Sequence, residues 1–64
     1  MPNFTVKQAR RHANLTQQYM AEALGVCIDT YRKIENNPEE TTVAQAKIIS
    51  RETGIPYDCI FFAH

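Results

Sequence analysis

A chain of 64 residues has room for one domain and, at this size, buries only about 60% of the surface its unfolded form exposes, so its core must be small. An apolar fraction of 44%, with two glycines and three prolines, excludes a low-complexity or disordered chain, and no apolar run approaches the roughly 18 residues of a membrane span. Seven basic residues balance seven acidic ones, so the total charge offers nothing to a polyanion, and a phosphate-binding face would have to come from local distribution.

Thr5 to Ala13 carries Val6, Ala9 and Ala13 at the three-and-four spacing of one helical face. Thr5 serves as N-cap, and Asn14, which tolerates the left-handed conformation, ends the helix. Thr16 caps a second, short helix in which Met20, Ala21 and Leu24 form an apolar stripe and Gly25 is the stop. A third helix is predicted over about Ile28 to Asn36, with Val26, Tyr31 and Ile34 facing inward. Asn36-Asn37-Pro38 ends it, because a residue before proline is pushed out of the α region. Glu39 and Glu40 fall in a polar loop. Thr42 with Gln45 fits a capping box for a fourth helix that turns Val43, Ala46, Ile49, Ser50 and Thr53 inward and stops at Gly54. Pro56, at the first helical position, opens a last short helix from which Tyr57, Ile60 and Phe61 close the core. The expectation is an all-α, compact five-helix domain spanning residues 1–64, with tight connections and no strands.

The informative stretch is Gln17 to Glu35. Ala21 lies four residues after Gln17, where two crossing helices need a small side chain, and Gly25 lies four further on, in a tight turn. A short helix, a glycine-containing turn and a second helix make a helix-turn-helix, which projects its second helix toward a major groove about 12 Å wide. The same small residues and turn glycine serve any small helical bundle, so the spacing by itself supports both readings.

The segment Leu15-Thr16-Gln17-Gln18-Tyr19-Met20-Ala21-Glu22-Ala23-Leu24-Gly25-Val26 resembles the phage-repressor-like (lambda repressor and Cro type, XRE-like) helix-turn-helix pattern. So do Ile34-Glu35-Asn36-Asn37-Pro38 and the tail Thr53-Gly54-Ile55-Pro56-Tyr57-Asp58-Cys59-Ile60-Phe61. The resemblance covers residues 4–62. It implies a five-helical, sequence-specific DNA-binding transcriptional regulator, often a dimer on a palindromic operator. It also implies that Gln17, which opens the second helix with Gln18 beside it as a further DNA-binding residue, contacts backbone phosphate and can brace the recognition helix. Ile28, Asp29, Thr30, Arg32 and Lys33 take the base-reading positions, and Asn36 lies near phosphate. Arg10 and Glu35 match a pair that forms an internal ion pair. The chain departs from the pattern at Cys27, where a Ser or Thr N-cap is usual, and at Tyr31, an aromatic in an aliphatic position whose hydroxyl needs a partner. It departs also at Asn37, which replaces a common glycine, and at Pro38-Glu39-Glu40, where basic residues are frequent.

Two cysteines far apart in a chain without a visible signal peptide are expected to stay reduced, which places the protein in the cytoplasm. Cys27, Cys59, His12 and His64 are too scattered for a zinc site, so neither a metal nor any other cofactor is expected. No nucleophile, base and orienting group occur together, so no catalytic residues are assigned and the chain is not read as an enzyme. Double-stranded DNA is the expected partner. Tyr57, Ile60, Phe61 and Phe62 concentrate aromatic and apolar surface near the end of the chain and point to a weak homodimer. The alternative function is a protein-interaction or antitoxin-like module on the same scaffold with weak DNA binding, which the zero net charge and the acidic loop favour.

Overall fold

The computed structural model describes residues 4–61, the side chain of Phe61 excepted. In chain order these form β1 (Phe4–Thr5), α1 (Val6–His12), α2 (Gln17–Leu24), α3 (Ile28–Asn36), a 3-10 turn (Pro38–Glu40), α4 (Val43–Thr53), a second 3-10 turn (Tyr57–Cys59) and β2 (Ile60–Phe61).

The helix boundaries follow from short polar side chains. Thr5 and Thr42 each close a capping box, with Gln8 and Gln45, and Thr16 accepts from the amide of Tyr19. A cap of this kind stabilises a helix by about 1 kcal/mol. Asn14 turns left-handed at φ 60°, and Gly25 and Gly54 do so at the ends of α2 and α4, with φ 72° and 73°. Cys27, at the N-cap of α3, contributes no side-chain hydrogen bond to the helix amides.

The core gathers Val6 and Ala9 of α1, Met20 and Ala21 of α2, Tyr31 and Ile34 of α3, and Ile49 of α4. Ile55 and Ile60 close it from the last segment. A large aliphatic side chain removed from water in this way stabilises by about 1.5–3 kcal/mol. Ile55 contributes although it lies in the connection after Gly54, where no helical or strand period marks it as inward.

Several expectations need correction. Among the described residues there are four α-helices rather than five, and the chain is not free of strands. The segment after Gly54 makes one 3-10 turn, with Pro56 at its N-cap rather than inside it. It then extends, because the backbone of Ile60 and Phe61 pairs in parallel with Phe4 and Thr5, in the register Phe4 to Ile60 and Thr5 to Phe61. Val43, expected inward, is 64% exposed. The stripe through Ala46, Ile49 and Thr53 runs back to Thr42, which leaves Val43 roughly a quarter turn off it. Tyr57, also expected inward, is 45% exposed, because the 3-10 turn directs Cys59 and then Ile60 to the core instead. Ile60, assigned to a dimer surface, is 4% exposed and belongs to the protein's own core. The side chain of Phe61 and the whole of Phe62, the other members of that surface, lie outside the described residues.

Candidate nucleic-acid interface

α2 and α3 pack as a helix-turn-helix around the left-handed Gly25, with Ala21 fully buried at their crossing. The inward side of α3 is fixed by Tyr31 and Ile34, so Asp29, Arg32, Lys33 and Asn36 are left exposed on the opposite side. Ile28, the first residue of α3, is half-buried and packs against the core. Thr30 is half-buried, and its hydroxyl lies 3.2 Å from Cys27 Sγ. That contact, with the Thr30 amide, holds the Cys27 thiol below its ordinary pKa.

A polar chain runs from α1 to the outer face of α3. Arg10 Nε donates to Glu35 Oε2 at 2.7 Å, and Arg10 Nη1 donates to the Leu15 carbonyl at 2.8 Å. The two ionic side chains are 12% and 5% exposed, so the pair is largely withdrawn from water, a setting in which each charge depends on the other. Gln17 Nε2 donates to the second carboxylate oxygen, Glu35 Oε1, at 3.0 Å. On its other side Gln17 Oε1 accepts from Arg32 Nε at 3.4 Å, and Arg32 Nη1 also lies 3.4 Å from Asp29 Oδ1.

Burial raises the Glu35 carboxyl, but the donors Arg10 and Gln17, the nearby Tyr31 hydroxyl and the Arg10 charge outweigh it and leave the group below its ordinary value. Tyr31 is fully buried beneath this chain. Its buried hydroxyl has no hydrogen-bond partner among the described residues, and burial, then the neighbouring Glu35 carboxylate, push its ionisation upward. The sequence expectation that this hydroxyl needs a partner identifies a polar atom the fold leaves underserved.

A shallow open groove lies between the end of α1, the start of α2 and the start of α3, with Arg10, Arg11, Asn14, Gln17, Gln18 and Ile28 on its walls. Gln18 is exposed there and donates to Glu22 Oε2 at 3.0 Å. Arg11 and Asn14 share this groove although sequence reasoning did not place them with the DNA-binding residues. The left-handed Asn14, which ends α1 two residues before the Thr16 cap of α2, is the signal that could have done so.

A helix-turn-helix carried on a small, mostly helical scaffold is the class of protein these elements define. The helix-turn-helix family model matches residues 6–58, and the chain belongs to that family, of the lambda repressor and Cro type, a family of DNA-binding regulatory domains. No curated protein and no solved structure matches the chain. Among the described residues no helix is long and apolar enough to cross a membrane, and no group of three or more His, Cys, Asp or Glu side chains could hold a metal ion.

Proposed function

We propose that this protein is a sequence-specific transcriptional regulator of the repressor or Cro type, which binds operator DNA by seating α3 in the major groove. The observation that carries this reading is the exposed face of α3, where Arg32 and Lys33 stand clear of the core beside the groove at the start of α2. Lys33 is read as the base contact and Arg32 as a contact to phosphate at the helix junction, and Asn36 lies at the phosphate side of α3. The first turn of α2 holds no acidic residue, so its amides and dipole favour a phosphate there, with Gln18 and Arg11 at hand. Selection from a random-sequence pool of duplexes, followed by gel-shift titration at two salt concentrations, tests the reading. A recovered consensus whose affinity falls steeply with salt supports it, and indiscriminate or absent binding refutes it.

A second reading, a protein-interaction or antitoxin-like module with weak DNA affinity, is favoured by the acidic 3-10 turn of Pro38–Glu40 that directly follows α3. Zero net charge favours it too. The same titration separates the two. A weak homodimer through the C-terminal segment belongs to the first reading, with Tyr57 as its exposed aromatic member. It would place two copies of α3 about 34 Å apart, one turn of DNA.

A further inference from the structure

Ile28 is an apolar residue at the start of a helix whose outer face is otherwise polar, with Asp29, Arg32, Lys33 and Asn36 exposed on it. Its side chain is half-buried and packs against the core. With Leu15 it forms the apolar part of the groove between α1, α2 and α3, and it is the one residue of α3 on the walls of that groove. The rest of the walls carries arginines, amides and a threonine hydroxyl, and no carboxylate. An exposed cation such as Arg11 beside half-buried hydrocarbon suits a polyanion that also presents apolar groups, and the edge of a DNA duplex is one. Hydrogen-bonding side chains around this spot are engaged within the protein. Gln17 donates to Glu35 and Gln18 to Glu22, both at 3.0 Å, and the Thr30 hydroxyl lies 3.2 Å from Cys27 Sγ. What α3 offers a base at the groove is therefore hydrocarbon.

We propose that Ile28 is a specificity-determining residue that recognises the 5-methyl group of a pyrimidine, thymine or 5-methylcytosine, in the major groove. This rests on the reading of α3 as the DNA-facing helix and adds to it the chemical group that is read. The methyl at C5 is the apolar group that a base pair presents in the major groove. Ile28 favours it by removing it from water. The N4 donor of an unmethylated cytosine held against the same hydrocarbon loses its water without gaining a partner. The β-branched side chain is stiff at χ1 and rests on the core, so it keeps its place without a polar anchor.

The test uses the full chain, a duplex selected from a random pool, and copies of that duplex in which each thymine in turn is replaced by deoxyuridine, which deletes the methyl and keeps the pairing edge. At one thymine of the site the replacement is expected to weaken wild-type binding roughly fourfold, the loss that corresponds to one methyl group left in water. With a cytosine–guanine pair at that position, 5-methylcytosine should bind roughly fourfold tighter than cytosine. In Ile28→Ala both differences should vanish, because the hydrocarbon that met the methyl is gone. Ile28 also packs against the core, so Ile28→Val, one carbon shorter, replaces that variant if it does not fold, and should shrink both differences; the wild-type arms stand without either variant. A deoxyuridine loss without the 5-methylcytosine gain restricts the reading to thymine. The absence of any thymine whose methyl affects binding overturns the proposal, and so does a methyl effect that stays the same in the Ile28 variants. A wild-type chain that yields no selected duplex removes the DNA reading and this inference with it, whereas selective binding without a methyl effect removes this inference alone.

Discussion

Glu35 accepts from Arg10 of α1 and Gln17 of α2 while belonging to α3, so one carboxylate ties three helices at the base of the proposed DNA-facing surface. Arg10→Met leaves that largely buried carboxylate without its counter-charge and should cost about 3–5 kcal/mol, a large share of what so small a domain has. A urea-unfolding midpoint unchanged from wild type would contradict it. The pH dependence has a definite sign. Because the folded protein holds the Glu35 carboxyl below its ordinary value of 4.5, the paired carboxylate stabilises fully above that value, and its contribution is lost as pH falls through the lower, folded value. The urea midpoint of the wild type should therefore fall as pH is lowered below about 4.5, and that of Arg10→Met should fall less. The Arg10 and Glu35 pairing is legible in the sequence because both positions match the family pattern. The share of Gln17 in it is not, since a polar contact across 18 residues leaves no periodicity to read.

At the scale of elements, α3 is the least well-capped helix although it carries the candidate reading face. Cys27 has the extended backbone of an N-cap but a sulfur that is a poor acceptor, and it contacts Thr30 instead of the helix amides. Cys27→Ser supplies a hydroxyl at the same place and should stabilise the protein by about 1 kcal/mol, read as a higher melting temperature; a lower one would show that the thiol contact with Thr30 matters more than the missing cap. Helix starts and stops were readable because Thr5, Thr16, Thr42, Gly25 and Gly54 each act on their own local backbone. The parallel pairing of Phe4–Thr5 with Ile60–Phe61 was not, because two-residue strands show no alternation and their hydrogen bonds join opposite ends of the chain. Val43 misled for a related reason: an apolar residue at the first position of α4 satisfies a loose three-and-four spacing while standing at the edge of the buried stripe.

For the whole molecule, balanced charge and an exposed Arg32 and Lys33 on α3 are compatible because, although Asp29 shares that face, other acidic residues lie elsewhere, among them the 3-10 turn at Glu39–Glu40 and Glu52 of α4, which accepts from the Tyr19 hydroxyl. Sequence composition reported the sum and could not report that distribution. Association through the C-terminal segment predicts a concentration-dependent rise in sedimentation coefficient, strengthened by operator DNA, and a strict monomer at millimolar concentration would rule it out. The central claim, that α3 reads DNA, is tested most directly by titrating the selected duplex with wild type, Arg32→Ala and Lys33→Ala at two salt concentrations. Lys33→Ala should lose about 1–3 kcal/mol and relax preference at one base pair, while Arg32→Ala should weaken binding and reduce the salt slope by about one. Affinity, preference and salt slope all unchanged in both variants would contradict it.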